Sequence, residues 1–162
     1  MRLWLDTEYN GFQGALISMA LVDEKGRGWY EALSCEAPVS WVQDNVLPVL
    51  KKKATTRKHF TDSLGAWLRE YDHIHVMADW PEDFVHFCSA LVPGPGECLV
   101  VPTLTMELLH LRERTDSAVP HNALEDAKAL KQAYMRTLVA EGVQKLLQRR
   151  TRPIPEKPST SR

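Results

Sequence analysis

The chain opens MRLWLDTEY, where the apolar Leu3-Trp4-Leu5 leads straight into two carboxylates, Asp6 and Glu8, set two residues apart. In an extended strand, side chains at i and i+2 share a face, so the two acids project together just beyond the stretch that anchors them. Carboxylates held that close repel one another unless a cation lies between them. A fold that takes this segment into its sheet is therefore expected to gather further acids at the end of that strand, as a metal site.

The spacing along the rest of the chain says what surrounds that strand. Arg2–Glu8, Ala15–Asp23 and Gly28–Ser34 are short aliphatic and aromatic runs parted by turn-like Asn10–Gly14 and Asp23–Gly26, which predicts an antiparallel three-strand meander. The period then changes. Ser40–Leu50 and Lys58–Tyr71 carry helical spacing, the second with Phe60, Leu64, Trp67, Leu68 and Tyr71 on one stripe. His73–Met77 predicts a fourth strand, Glu82–Leu91 a helix and Glu97–Val101 a fifth strand, a parallel crossover unit. Met106–Arg114 predicts another helix, and Ala123 to about Gln148 a long last one with a weak point at Gly142. The expected architecture is α/β, a mixed five-strand sheet flanked by helices.

With 162 residues, 44% of them apolar, there is enough material for one domain with a single core, placed over residues 1–150. Thr151–Arg162 holds three prolines and almost nothing apolar, so a disordered tail is expected there. A net charge of -1 demands no polyanionic partner, although the acids of a metal site offset basic surface in such a sum. Cys35, Cys88 and Cys98 are odd in number and lack the close paired spacing of a zinc site, and no basic flank followed by a long apolar segment opens the chain. A reducing, cytoplasmic setting is expected, with no membrane partner, since the most apolar windows fall far short of the roughly 20 residues of a membrane helix.

Downstream, Pro120-His121-Asn122-Ala123-Leu124-Glu125-Asp126 supplies a histidine and another acid. Asn122 is a good N-cap, and Glu125 three residues later completes a capping-box pattern. Asp126 then falls in the first turns of the helix, where the helix dipole favours an acid. His121 lies on the loop just upstream, free to swing over the same site as a base. A third acid is expected from His75-Val76-Met77-Ala78-Asp79-Trp80-Pro81-Glu82-Asp83-Phe84. Pro81 suits a first helical turn, which puts Asp83 within that turn and Asp79 at the strand end. Asp83 is preferred as the ligand, with Asp79 kept as a substitute or supporting acid.

Asp-Thr-Glu in a first strand, an Asp at a strand-to-helix corner and His-x-Ala-x-x-Asp opening a late helix resemble the DEDDh 3′–5′ exonucleases of the ribonuclease H-like superfamily. The likeness spans Met1 to about Gln148, and Asp6-Thr7-Glu8-Tyr9 with the small size looks closest to exoribonucleases of the ribonuclease AS and ribonuclease T types. The resemblance implies Asp6, Glu8, Asp83 and Asp126 as ligands of two Mg²⁺ or Mn²⁺ ions, and His121 as general base for hydrolysis that releases nucleoside 5′-monophosphates from 3′ ends. Where such enzymes often carry Asn and an aromatic, four residues and one residue before the middle Asp, this chain has Asp79 and Glu82.

Single-stranded nucleic acid is the implied partner, RNA preferred over DNA, and a homodimer is expected because small members of the group work as dimers. Thr7, Tyr9, Asn10, Phe12 and Trp80 are the expected substrate contacts, Phe12 and Trp80 by stacking on bases. Lys51-Lys52-Lys53, Arg57-Lys58 and Arg149-Arg150 are candidates for tracking phosphates, against the commoner role of such runs as solvated faces. A DNA exonuclease of proofreading or repair type, or a binding scaffold of the same fold without turnover, are the alternatives.

Overall fold

In the computed structural model, which describes residues 1–111 and 116–150, five strands form one mixed sheet in the order β3-β2-β1-β4-β5. β1 (Arg2–Tyr9) is central, antiparallel to β2 (Leu16–Asp23) and parallel to β4 (His73–Ala78). β3 (Gly28–Ala32) closes the meander, and β5 (Thr103–Leu108) runs parallel to β4 on the far edge. Four helices flank the sheet: α1 (Ser40–Asn45), α2 (Arg57–Leu68), α3 (Pro81–Ala90) and α4 (Ala123–Arg150). The strand order and directions are consistent with ribonuclease H-like topology.

Alternation along β1 sorts the layers. Leu3 and Leu5 face one side and join Met19, Phe60, Leu64, Leu68, Val76 and Phe87 in the main core, which α2 and α3 cover. Each such fully buried side chain is worth about 1.5–3 kcal/mol of transfer from water. Trp4 faces the other side, against Met77, Leu130 and Tyr134. There α4 lies close to the sheet because Ala123 and Ala127, four apart on one helical face, meet Ala20 and Val22. Gly28 is part of that approach: a Cβ on it would come within 2.7 Å of the Leu124 side chain.

Several expected boundaries move. The predicted helix over Ser40–Leu50 breaks in two, α1 and a 3₁₀ turn at Leu47–Val49. Pro48 explains this, since it lacks an N–H and its ring collides with the carbonyl four residues back. The predicted fifth strand at Glu97–Val101 is not one; the strand is Thr103–Leu108, and Met106 to Leu108, expected to begin a helix, belong to it. Period two over Thr103-Leu104-Thr105-Met106, with two β-branched residues, fits the parallel register His73↔Thr103 through Ala78↔Leu108. Leu99 and Val101 instead pack on the main core from a loop. Residues 112–114 of that predicted helix and the tail at 151–162 lie outside the described residues. α4 runs through Gly142 without interruption, and among the described residues no helix is long and apolar enough to cross a membrane.

Candidate metal centre

Asp6 and Glu8 continue the face of β1 that carries Trp4, the face crossed by α4. The first turn of α4 brings Asp126 to them, and one carboxylate oxygen from each of Asp6, Glu8 and Asp126 lies within 4.8 Å of the others. The strand register shifts between Glu8 and Tyr9. An irregularity of this kind bends the strand where it leaves the sheet.

Asp126 is held where it is by its own helix start. The Asn122 side chain accepts the Glu125 N–H at 3.2 Å and caps α4, while its amide donates to the carbonyls of Val49 (2.8 Å) and Leu50 (3.3 Å). Only half of the expected capping box forms. Glu125 turns instead to Lys128 at 2.8 Å, and the Asn122 N–H is taken by the Val119 carbonyl. Asp126 Oδ2 accepts the His121 N–H at 2.9 Å.

Asp83 reaches the same strand from the opposite layer. It lies in the first turn of α3, 2% exposed, and its Oδ1 accepts both the Thr7 N–H (3.1 Å) and the Thr7 hydroxyl (2.6 Å). Thr7, expected to meet the substrate, thus spends its hydroxyl on fixing Asp83. Asp79 sits at the exposed rim, lining with Asp6, Asp126, Asp116, Ser117 and His121 a cavity of about 450 Å³. Asp83 lies outside the three-carboxylate group, yet its charge acts on Asp6 ahead of those of Glu8, Asp126 and Asp79.

Burial, and then the charges of these neighbours, pushes the Asp6 carboxyl well above the ordinary carboxylate range. Burial, and then Asp126 and Asp83, pushes Glu8 up to about 8. Asp83 rises to about 7 through burial, with the charges of Asp79 and Glu82 adding to the rise and the Thr7 bonds opposing it. Asp126 and Asp79 are raised as well, again chiefly by burial, with Ser117 and the His121 N–H opposing the rise at Asp126. Asp6 Oδ2 and Asp83 Oδ2 are buried with no hydrogen-bond partner among the described residues. Burying an unpartnered carboxylate oxygen is costly, and a cation relieves it. An all-oxygen donor set with no cysteine in its lining fits a hard divalent ion such as Mg²⁺ or Mn²⁺.

Beside the acids lies a second cleft, of about 350 Å³, lined by Thr7, Glu8, Tyr9, Gly11, Phe12, Trp41, Val42, Trp80, Glu82 and His121. Phe12 is 86% exposed and Trp80 57%. Tyr9 is half-buried and packs on His86, ring centroids 4.9 Å apart and planes tilted by 31°. Its hydroxyl is pushed up to about 12, first by burial and then by the charge of Glu82. Asn10 has another task than the one expected: its side chain donates to the Ala37 carbonyl and accepts the Val39 N–H, both at 2.8 Å, and so ties the loop to the start of α1. Glu82, standing where the resemblance places an aromatic, accepts the Gln13 N–H at 2.9 Å and clips the same loop to α3. Gly14 is required in that loop, because a Cβ there would run into the Asn10 carbonyl.

Trp41 escaped the sequence reading. It faces His121 edge to face at 4.8 Å, and its only sequence signal is an aromatic placed beside, not on, the buried Val42/Val46 stripe of α1. The basic runs do not line either cavity. Lys52 pairs with Glu31 and Lys58 with Asp62, while Arg57 donates to the Ser89 carbonyl. The side chains of Arg149 and Arg150 lie outside the description. Scanned against protein-family models and curated proteins, the chain finds no match.

Proposed function

We propose that this chain is a divalent-metal-dependent 3′–5′ exonuclease that removes nucleoside 5′-monophosphates from single-stranded 3′ ends, RNA being the preferred strand. The observation that carries the reading is the convergence of Asp6, Glu8 and Asp126 within 4.8 Å, next to an open cleft with aromatic walls. Asp6, Glu8, Asp126 and Asp83 would hold the metal, with Asp79 as the alternative to Asp83. Two Mg²⁺ or Mn²⁺ ions held there would stabilise the attacking and leaving oxygens of an in-line displacement.

The chain's own side chains supply the rest. Alone, the acids repel a phosphodiester, so strand binding is expected to need the cation. His121 borders both the acid cavity and the aromatic cleft, and its imidazole accepts the proton of the attacking water. Phe12 and Trp80 offer their faces to unstacked terminal bases, a mode of contact that favours single strands. The preference for RNA rests on the likeness of Asp6-Thr7-Glu8-Tyr9 to small exoribonucleases.

Oligonucleotides of RNA and DNA, labelled at either end and incubated with Mn²⁺, test this directly. The 3′-labelled RNA is expected to lose label as mononucleotide at once, the 5′-labelled RNA to shorten stepwise, and Asp6→Ala to do neither. Activity that persists in Asp6→Ala overturns the mechanism. Turnover of DNA alone makes the chain a DNA exonuclease, and binding without turnover under every divalent ion makes it a scaffold.

A further inference from the structure

His121 is a loop residue, yet little about it is loose. Its backbone adopts a left-handed conformation with φ 65°, uncommon outside glycine and sustained only where the surroundings fix it. Its N–H is held by Asp126, and its neighbour Asn122 is bound to Val49 and Leu50 of the segment that follows α1. Among the described residues the imidazole itself has no hydrogen-bond partner; its aromatic neighbour is Trp41, centroids 4.8 Å apart and planes at 82°.

Trp41 is in turn well placed to steady a ring although it is 53% exposed. Val42 and Val46 beside it are buried with Ile17, the Asn45 side chain donates to the Trp41 carbonyl at 2.8 Å, and Asn10 clamps the residues that lead into α1. We propose that Trp41 is a positioning residue, which holds the His121 imidazole between the acid cavity and the aromatic cleft so that it meets the attacking water. The role rests on the exonuclease reading and goes beyond it. It assigns Trp41 to the base and not to the substrate.

The test therefore needs one readout tied to activity and one that is not. In a proton–carbon correlation spectrum with Mg²⁺ present, the imidazole resonances of His121, identified by their loss in His121→Ala, are expected to shift in Trp41→Ala and to shift far less in Trp41→Phe, which keeps a ring. In turnover, Trp41→Ala is expected to lower kcat about three- to tenfold, the factor an edge-to-face ring pair is worth, with KM unchanged, and Trp41→Phe to restore most of it. Unmoved resonances overturn the proposal whatever the activity. A rise in KM at unchanged kcat makes Trp41 a base platform and also overturns it. Resonances that move in Trp41→Ala, with a wild-type chain that turns over neither RNA nor DNA, bring down the exonuclease reading, and the purpose of the contact with it.

Discussion

Asp6 in β1 and Asp23 at the end of β2 are both acids of the same sheet with buried carboxylate oxygens, and the chain treats them in opposite ways. Asp23 is surrounded by donors: the Arg27 N–H at 2.8 Å, the Arg27 Nε at 3.0 Å and the Tyr71 hydroxyl at 3.1 Å. Burial alone would raise its carboxyl, but the Arg27 and Tyr71 bonds outweigh that and hold it below the ordinary value. Asp6 has a buried oxygen without any such donor and four acids for company. Asp23 is a carboxylate the fold has finished; Asp6 keeps a buried oxygen that no donor among the described residues meets. A satisfied acid and an unsatisfied one thus share one hairpin.

The sharpest way to break that contrast is to remove the Asp6 charge while keeping its shape. Asp6→Asn is expected to take exonuclease activity to background, and yet to raise the thermal midpoint measured in a chelator, because it relieves repulsion that only a cation offsets. A drop in that midpoint would mean that Asp6 is structural after all. Next in size, His121→Ala is expected to cost about 10²–10⁴-fold in kcat, the usual worth of a general base, with little change in metal affinity by titration calorimetry. Equal loss of both would move His121 into the metal's ligand set.

The acids around Asp6 and the satisfied Asp23 also predict opposite slopes of stability against pH. Glu8 and Asp83 have raised values in the folded chain, so the fold binds more protons than the unfolded chain between their ordinary values and about 8 and about 7. In chelator, unfolding free energy from these groups therefore falls as pH rises from about 4.5 to about 8, and saturating Mg²⁺ should flatten that fall. Asp23 contributes in the other sense: its stabilisation is present above its ordinary value of 3.8 and is lost as pH falls below it. Urea titrations across pH, with and without Mg²⁺, measure both limbs. Asp23→Ala should then cost about 1.5–3 kcal/mol near neutral pH, the range for hydrogen bonds to a charged group. The smallest expected effect is Thr7→Val, about 1 kcal/mol from the lost hydroxyl bond to Asp83, seen as a modest rise in the Mn²⁺ concentration needed for half-maximal turnover.

Much of the acid centre was legible because its signals are local. Asp6 and Glu8 announce themselves by a spacing of two, Asp126 by a helix start, and Asp83 by a proline-marked corner. The middle acid stayed ambiguous since Asp79 and Asp83 flank one turn; Asp83 is buried and bonded to Thr7 while Asp79 lines the acid cavity, and neither joins the three-carboxylate group. What was missed depends on partners distant in sequence. Asn10 looks like a substrate contact until Ala37 and Val39 are seen to use it. Trp41 is one more exposed aromatic until His121 lies beside it. β5 was misplaced because the preceding Leu99-Val100-Val101 is a more continuous apolar run than the alternating but mostly exposed Thr103–Leu108, and its identity comes from the register with β4. Pro48 was the exception, a local signal sufficient to end the first helix.

The reach of α4 sets the order in which this molecule acquires its chemistry. Asp126 meets Asp6 and Glu8 only when the last helix docks on β1 and β2, after nearly all of the described chain has been made. Closing a loop on the order of 100 residues costs about 4 kcal/mol of chain entropy, recovered when the α4 alanines seat against Ala20 and Val22. Asp6 and Glu8, local to one strand, thus stay a pair until the distant helix is seated and makes them a trio.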